Sequence, residues 1–400
     1  MAVPQDAPTR GRVLMLVATS VATDTRVLRE AGALVSDGWS VHIIGKDVPE
    51  GFEPPPGLTV SSAGGSSVFR SAGAPSASAR RLSPPARLAR WALLPQHRNA
   101  AFGSWAAAAA ADAAAREVDV VHAHDFTALP AAAALAAQRG VPYVYDSHEL
   151  WSGRARQYRP TPLQDRRERR EEAALGRAAA FVITVGDGVA GALRARFGWE
   201  HVVVVRNSFP APTEAEQAAW PPLPDAPEAL VYAGRVDAHR ELETALAARP
   251  ALPLTFVGPA DDAWVARHRG AIAAAGARLC PAEPVAEVTM RLRRAGVALV
   301  THSDRFESHR LALPNKLFHA VLAGVPVVAT DVPELASVVR AHSLGELYRP
   351  GDPAALAAAV NRVTSGYPER LAAVGAARGE LSWDADAERL RSAYRSLGLG

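Results

Sequence analysis

Short apolar segments alternate with segments of helical periodicity along most of the chain. The first apolar run covers Arg12 to Ala18, a polar turn follows, and Arg26 to Ser36 carries apolar residues at helical spacing before Trp39 to Ile44 becomes apolar again. An apolar run without polar alternation is typical of a parallel strand that is buried on both faces. This part of the chain is therefore predicted to form a β-α-β unit.

The same alternation continues to residue 207. Further strands are predicted at the runs VDVVHAH, VPYVYDS, AAFVITVG and HVVVVRN. A helix is predicted between the first two of these runs, with its end at Gly140. Strands that alternate with helices indicate an open, doubly wound parallel sheet. We therefore predict an N-terminal α/β domain over residues 1–207.

A proline-rich segment follows this domain. Residues 208–228 contain six prolines and no periodicity, which is typical of a linker. The alternation resumes at ALVYAGR, LPLTFVG, RLCP, VALVTH and VPVVATD, and it predicts a second α/β domain over residues 229–382. Residues 383–400 are predicted to form an amphipathic C-terminal helix, for which packing back on the first domain is an open option. A chain of 400 residues suits two domains of about 200 residues each.

Composition narrows the class of protein. Hydrophobic residues make up 48% and charged residues 21% of the chain, as in soluble globular proteins, and no stretch is long and apolar enough to span a bilayer. The first residues lack the order of a signal peptide, and the single cysteine, Cys280, excludes an internal disulfide. We expect a cytoplasmic protein, and a net charge of +3 gives no support for a nucleic-acid partner.

The charge is unevenly distributed, because no acidic residue lies between Glu53 and Asp112. The basic and large aromatic residues of this stretch include Arg70, Arg80, Arg81, Arg87, Arg90, Arg98, Phe69, Trp91 and Trp105. A solvated loop rich in proline, serine and alanine is the simpler interpretation. The alternative is that residues 66–105 make a peripheral contact with anionic lipid at the inner membrane surface, or touch a large acceptor.

The most distinctive local pattern is LALPNKLFHAVLAGVPVVATDVPEL, residues 311–335. Pro314 stops the preceding structure, and Asn315 is suited to cap a helix that begins at Lys316. Gly324 is suited to end that helix. A cation at a helix N-terminus opposes the macrodipole unless an anion lies between them, and Lys316 is one of only two lysines among 44 basic residues. We predict that Lys316 binds an anion; an ordinary exposed lysine is the alternative.

A second basic pattern, LVYAGRVDAHRELE, follows the first strand of the second half. The strand is predicted to end at Gly234, and Arg235 opens the loop. Glycine lets the backbone approach a ligand, while a guanidinium binds phosphate oxygens bidentately. Arg240 is predicted to begin the next helix, in the same electrostatic position as Lys316. The two patterns together predict a phosphate site.

Polar residues also follow strands in the first half, where a parallel sheet binds its ligands. They are Asp24 with Arg26, His122 and His124 with Asp125, and Asp146, Ser147, His148 and Glu149. Histidines and carboxylates at these positions suit hydrogen bonding to a polyhydroxylated ligand. A metal is the alternative for the two histidines of HAHD, which face one way on a strand. Local spacing suggests no third ligand, so no metal is predicted, and the carboxylates of Asp384 and Asp386 are interpreted as surface groups.

The chain resembles the GT4-like glycosyltransferases of the GT-B fold (glycosyl transferases group 1) over nearly its whole length. The matching segments are DTRVLREAGALVSDGWSV, DVVHAHDFTALPAA, VPYVYDSHEL, FVITVGDGVAGAL, VVVVRNSFP, VYAGRV and LPNKLFHAVLAGVPVVATDVPEL, of which the last is the most specific. The resemblance implies two doubly wound Rossmann-like domains that face a central cleft. It also implies that the C-terminal domain binds a nucleotide sugar and the N-terminal domain binds the acceptor.

The resemblance further implies roles for individual residues. Arg235 and Lys316 match the basic pair that neutralises the diphosphate, and His124 matches the histidine that contacts the transferred sugar; these three are the predicted catalytic residues. The predicted donor-binding residues are Gly234, Arg235, Arg240, Pro281, Val285, Glu307, Asn315, Lys316, Leu317 and His319, with the base resting against residues 280–285. The residues predicted to face the acceptor are Asp24, Arg26, His148 and Glu149.

The implied reaction moves a sugar from a UDP- or GDP-linked donor, a co-substrate, to a hydroxyl of a glycan, lipid or small molecule. Retention of configuration and independence of metals and other cofactors are typical of the family. Two departures stand out: His319 replaces a usual glutamate, and Leu311 stands where an acidic residue is frequent, with Glu307 nearby but out of register. They leave two alternatives, a sugar-nucleotide epimerase of the same fold and a catalytically silent homologue that is the partner of another transferase.

Overall fold

The computed structural model describes residues 10–64, 103–154 and 161–399, which form two compact units. Unit 1 takes its residues from Met1–Thr184, Leu193–Val203 and Arg389–Gly400, and unit 2 from Val185–Ala192 and Val204–Glu388. Both units are therefore assembled from separate pieces of the chain, and the C-terminal helix contributes to each of them.

Unit 1 is built on a parallel sheet whose seven described strands have the order β3-β2-β1-β4-β5-β6-β7. The strands are β1 (Gly11–Val17), β2 (Trp39–Gly45), β3 (Leu58–Ser62), β4 (Val120–His124), β5 (Tyr143–Ser147), β6 (Phe181–Thr184) and β7 (Val202–Val204). Strand β1 pairs in parallel with both β2 and β4, so the strand order reverses beside it. In such a sheet the carboxyl ends next to this reversal are where ligands bind.

The helices of unit 1 connect these strands. They are α1 (Thr25–Ser36), α2 (residues 103–114), α3 (Asp125–Arg139), α4 (Pro162–Ala178) and part of α5 (Asp187–Phe197). Short 3-10 turns lie at Val21–Thr23 and Trp151–Gly153. Helix α3 ends at Gly140 in the left-handed conformation (φ 70°), as predicted from its position after the apolar periodicity.

Unit 2 has a second parallel sheet, with its six described strands in the order β10-β9-β8-β11-β12-β13. The strands are β8 (Ala229–Ala233), β9 (Leu254–Val257), β10 (Arg278–Cys280), β11 (Gly296–Val300), β12 (Val327–Thr330) and β13 (Gly345–Tyr348). The edge strands β3 and β13 were missing from the prediction. Both are short, and each has a single buried residue, so neither carries a continuous apolar run.

Helices cover both faces of this second sheet. They are α6 (Glu214–Ala219), α7 (Leu242–Ala248), α8 (Asp262–Ala274), α9 (Val285–Ala295), α10 (Glu307–Arg310), α11 (Asn315–Ala323), α12 (Pro333–Ala341), α13 (Pro353–Ser365), α14 (Tyr367–Ala377) and α15 (Trp383–Arg395). Neighbouring residues of β11 show the two faces: Val300 packs in the cluster with Leu317, whereas Leu299 packs in the cluster with Tyr232. The two Rossmann-like units confirm the predicted fold class.

The structure adds a helix to one polar segment and corrects the interpretation of another. The proline-rich segment 208–228 contains helix α6, whose start is stabilised by a capping box between Thr213 and Glu216. Asp386, interpreted as a surface group, is completely buried and pairs with Arg206, whose Nε lies 3.0 Å from its Oδ1. The predicted helix is present as α15, but the local sequence does not indicate that Asp386 on this helix pairs with Arg206.

The basic segment 66–105 lies almost entirely outside the described residues. Of the large aromatic residues in this segment only Trp105 is described. It is buried in unit 1, with 1% of its surface exposed. The expectation that Trp105 contributes to an exposed contact surface is therefore wrong. None of the helices in the described part of the chain has the length and apolar character needed to cross a membrane.

Candidate functional site

The two predicted phosphate-binding cations of unit 2, Arg235 and Lys316, lie near the carboxyl end of the central strand β8. Arg235 follows β8 directly, and Lys316 lies in the first turn of α11. Gly234 links the two, because a Cβ atom at this position would be 3.3 Å from Tyr232 Oη and 3.5 Å from Lys316 Cδ. The backbone at the end of β8 thus approaches the lysine stem closely, and the two predicted basic patterns come together in the fold.

Positive charge exceeds negative charge around this strand end. Asp237 is the shared carboxylate: its Oδ1 accepts a hydrogen bond of 3.0 Å from Arg240 Nε, and its Oδ2 lies 3.7 Å from Arg235 Nε. Lys316 Nζ lies 5.0 Å from the centre of the Tyr232 ring and pairs with no carboxylate of the described residues. Three cations around one carboxylate favour an anionic ligand.

Lys316 shows the effect of this imbalance most clearly. Burial and, to a smaller extent, the neighbouring Arg240 lower the pKa of its ammonium to about 7, whereas Asp237 acts in the opposite direction. A desolvated ammonium beside another cation regains its charge when an anion binds. The lysine is therefore arranged to hold a ligand of opposite sign rather than to stabilise the unit by an ion pair of its own.

Two predicted helix starts are wrong by one or two residues. Helix α7 begins at Leu242, after Glu241 in the left-handed conformation (φ 60°), so Arg240 lies in the loop and not in the first turn. Helix α11 begins at Asn315, and the extended Pro314 occupies the capping position without a side-chain hydrogen bond. Asn315 is therefore not the cap, because proline already fixes the extended backbone that the cap requires.

Two histidines that were not among the predicted site residues lie beside these cations. His302 follows β11 and is 7% exposed, and its backbone N–H donates to Thr330 Oγ1 over 3.0 Å. Burial and the nearby Lys316 lower the pKa of His302 to about 2, and burial with Arg240 lowers the pKa of His309 to about 4. Both rings are therefore neutral at pH 7. The signal for them was their place in THSDRFESH, directly after a strand.

His319 bridges α11 to α9 instead of offering a charge. Its Nε2 lies 2.9 Å from Thr289 Oγ1, and the threonine hydroxyl donates to the Val285 carbonyl over 2.8 Å. Burial lowers the pKa of His319 to about 4, and its ring lies against that of Phe209 with 4.9 Å between the ring centres and 34° between the planes. His319 occupies the position at which the resemblance implies a glutamate, so α11 offers no carboxylate there.

The other predicted donor residues differ in how reachable they are. Pro281 and Val285 are exposed beside β10, and Glu307 is half-buried at the start of α10. Leu317 has a completely buried side chain in the core of unit 2. Its side chain therefore cannot touch a ligand, because the helix turns that face of α11 toward the sheet, and the prediction for Leu317 is wrong in this respect.

In unit 1 a buried carboxylate joins several predicted residues. Asp146 at the end of β5 receives Arg26 Nε at 2.9 Å and Nη2 at 2.8 Å, His124 Nδ1 at 3.1 Å and His148 Nε2 at 2.8 Å. Although burial opposes ionisation, Arg26 and the two histidines hold the pKa of Asp146 well below its usual range. The sequence places Asp146 in a polar loop, but no local pattern indicates that it is the centre of the group.

A second carboxylate completes the setting of His148. Asp125, the first residue of α3, has a positive φ of 63°, and its Oδ2 lies 3.3 Å from His148 Nδ1. With burial working against the charge, Asp125 and Asp146 together raise the pKa of His148 well above its usual value. The imidazolium thus ties a strained backbone to the end of β5, and backbone strain of this kind is characteristic of functional sites.

His122 and Glu30 extend the group below His124. The rings of His122 and His124 stack with 4.3 Å between centres, and His122 Nδ1 lies 2.7 Å from Tyr394 Oη of α15. Ligand atoms of Glu30, His122, His124 and Asp146 lie within 4.8 Å of one another, a set that could hold a metal ion. Local spacing did not reveal it because α1 and β5 supply two members. Arg26 already pairs with both carboxylates, so a metal would compete with its charge.

The four predicted acceptor residues have different surroundings. Arg26 is 3% exposed and engaged by Asp146 and Glu30, so its guanidinium is not presented to an acceptor as predicted. Asp24 caps α1 through Val27 N–H at 3.3 Å. His148 is partly exposed, and Glu149 is exposed. No signal in the sequence pointed to Glu30.

Two family models match the chain in succession. Residues 22–208 match the glycosyl transferase 4-like domain, and residues 228–365 match the glycosyl transferases group 1. Among curated proteins, the glycogen synthase of Mycobacterium tuberculosis is 27% identical over 297 residues, which are 70% of this chain and 68% of that protein.

Solved structures show the same fold at low identity. The sucrose-phosphate synthase from Thermosynechococcus elongatus has a TM-score of 0.69 and 18% identity, over 96% of this chain and 99% of that one. The Anabaena protein Alr3699/HepE, crystallised with UDP-glucose, has a TM-score of 0.64 and 14% identity, over 96% of this chain and 100% of that one.

Proposed function

Because this chain belongs to the GT4-like glycosyltransferases of the GT-B fold, we propose that it moves a sugar from a nucleoside diphosphate to an acceptor hydroxyl and binds the diphosphate with unit 2. The observation that carries the proposal is the excess of positive charge after β8. Arg235, Arg240 and Lys316 surround one carboxylate, Asp237. A diphosphate supplies the missing negative charge, and each of the two guanidinium groups can bind two of its phosphate oxygens.

The chemistry uses these cations at the leaving group. The bond between the anomeric carbon and the diphosphate oxygen breaks, and negative charge grows on that oxygen. Fixed donors aimed at growing charge lower the barrier more than they stabilise the ground state. One such donor contributes roughly 3 kcal/mol, which is about two orders of magnitude in rate.

For the donor we propose a UDP-linked sugar. The Anabaena protein of the same fold was crystallised with UDP-glucose. In unit 2 the exposed Val285, with 46% of its surface accessible, borders the loop that follows β10 and offers an apolar surface for a flat base. The neutral His319 contacts the carbonyl-bound Thr289 beside it. The release assay below therefore compares UDP-sugars with GDP-sugars.

For unit 1 we propose acceptor binding, with retention of configuration and without a metal. The leaving phosphate takes the proton of the acceptor hydroxyl, and the new bond forms on the face from which the phosphate departs. No side chain has to act as the base. The fixed cations of unit 2 supply the charge that a metal would otherwise bring to the diphosphate, and neutral His124 offers the sugar a hydrogen bond without a charge.

The test measures nucleoside diphosphate release from UDP- and GDP-sugars with and without candidate acceptor hydroxyls. Release that requires an acceptor and persists in EDTA is the expected result. Isomerised donor without transfer would instead indicate an epimerase, and nucleotide binding without any reaction would indicate a silent partner protein.

Lysine labelling tests the diphosphate site without an acceptor. Lys46 and Lys316 are the only lysines of the chain, so pyridoxal phosphate followed by borohydride gives two side-chain products that mass spectrometry separates. We expect UDP to protect Lys316 and to leave the labelling of Lys46 unchanged. Equal labelling of both lysines with and without UDP would contradict the proposed site.

A further inference from the structure

The last turns of α15 enter the core of unit 1 through one aromatic residue. Tyr394 is completely buried, and its ring makes edge contacts with Trp39 and Phe181, with 5.5 Å and 5.6 Å between ring centres. Apolar contacts of this kind account for docking of the helix. They do not account for the phenolic hydroxyl, which costs free energy to bury unless it is paired.

That hydroxyl is paired with a histidine of the central strand. Tyr394 Oη lies 2.7 Å from His122 Nδ1, and both side chains are completely buried. The other ring nitrogen of His122, Nε2, has no hydrogen-bond partner among the described residues and lies 3.8 Å from Glu30 Oε2. The Tyr394 hydroxyl is therefore the one described hydrogen bond that fixes the rotation of the His122 ring.

The orientation of His122 in turn sets that of His124. The two rings are nearly parallel, with 4.3 Å between centres and 15° between planes. His124 is held at its edge by Asp146 and His148, which lie 3.1 Å and 3.3 Å from Nδ1, and on its face by His122. Contacts at a single ring nitrogen fix the direction of a ring more firmly than its tilt, whereas a stacked neighbour fixes the tilt.

We propose that Tyr394 is a positioning residue that orients His124 through His122, so that the C-terminal helix is part of the active centre of unit 1. The proposal rests on the proposed function of His124. It assigns the hydroxyl a role separate from docking, because the ring contacts with Trp39 and Phe181 do not involve it. Loss of the hydroxyl is expected to affect the transfer step and not the diphosphate site of unit 2.

Tyr394→Phe removes the hydroxyl and keeps the ring. We expect kcat to fall roughly tenfold, because misplacement by a fraction of an ångström costs about this much, while KM for the donor and the affinity for UDP are unchanged. Arg395→Ala is the matched control, since this neighbour pairs with Asp37 at the same helix end and does not touch His122. An equal fall of kcat in the control would overturn the proposal, because docking alone would then explain the effect.

A double-mutant cycle separates the path through His122 from other paths. His122→Phe keeps a flat ring but cannot pair with Tyr394. In that background Tyr394→Phe is expected to cause no further loss of kcat, and additive losses would contradict the proposed path.

Histidine 15N spectra give a readout that needs no activity. The ring nitrogen signals of His122 and His124 are expected to shift in Tyr394→Phe and to stay in place in Arg395→Ala. If the wild-type protein transfers no sugar but these signals shift as expected, the proposed function fails while the positioning role stands. If it transfers sugar and the His124 signals do not move in Tyr394→Phe, only the positioning role fails.

Discussion

The two units treat buried charge in opposite ways. In unit 1 Asp146 accepts hydrogen bonds from Arg26, His124 and His148, so its charge is satisfied without a ligand. In unit 2 Lys316 has no ion-pair partner among the described residues, and burial of its ammonium lowers its pKa. Paired charges fix the positions of the side chains around Asp146. The unpaired charge of Lys316 instead favours binding of a ligand of opposite sign.

The largest effect is expected on stability in unit 1. Asp146→Asn removes the charge that compensates Arg26, and an uncompensated buried cation costs about 3–5 kcal/mol. Chemical denaturation should show this loss in the free energy of unfolding. Asp331→Asn is the control, because its pair with Arg340 is exposed on both sides and such pairs contribute less than about 1 kcal/mol. Equal effects of the two variants would remove the distinction.

The next effect is expected on catalysis in unit 2. Lys316→Ala and Arg235→Ala should each lower the transfer rate by at least about 100-fold, since each removes a cation next to the leaving phosphate. The free energy of unfolding should stay close to that of the wild type, because neither cation has a buried partner to abandon. Lys46→Ala provides the lysine control. Wild-type turnover in Lys316→Ala or Arg235→Ala would end the assignment of the diphosphate site.

The pH dependence of nucleotide binding should reveal the lowered pKa directly. Bound diphosphate favours the charged amine, so its pKa rises above the value of about 7 in the free protein. As the pH rises from 7 toward 9, the free protein loses this proton first. The Kd for UDP should therefore increase by up to about tenfold per pH unit. Lys316→Arg, which stays charged, should bind with little pH dependence in the same titration calorimetry series.

The smallest effect is expected at Glu30, which pairs with the same arginine as Asp146. Burial raises the pKa of Glu30 to about 8, so its carboxyl is mostly neutral at pH 7. Below about pH 4, where this carboxyl is neutral in both the folded and the unfolded protein, Glu30→Gln should change the free energy of unfolding by less than about 1 kcal/mol. Because a raised acid pKa makes wild-type stability fall between about pH 4.5 and 8, the variant should gain relative to the wild type over that window. A loss as large as that of Asp146→Asn would show that Glu30 is charged.

The sequence revealed the fold and one side of the site for the same physical reason. Apolar runs such as Arg12 to Ala18 predict buried parallel strands directly, and a lysine at a helix start stands out against the macrodipole. Both signals lie within a few consecutive residues. The fold class was confirmed, and Gly234 and Lys316 do meet as the two basic patterns required.

What the sequence did not reveal depends on partners from distant segments. Asp146 and Glu30 belong to the same group as His124, but they come from β5 and α1, so no local spacing indicates them. The short edge strands lack a continuous apolar run. Asp386 was misread for the same reason as Asp146, because the arginine that buries it lies 180 positions away in the chain.

The route of α15 has a consequence for how the protein is made. Unit 1 starts at the beginning of the chain, yet Tyr394, which fills the space between Trp39 and Phe181, is among its last residues. During translation the strands of unit 1 are made first, but Tyr394 can pack between Trp39 and Phe181 only after all of unit 2 has been made. A fragment that stops after β7 would therefore emerge as an unfinished core, prone to self-association, whatever its own strands contribute.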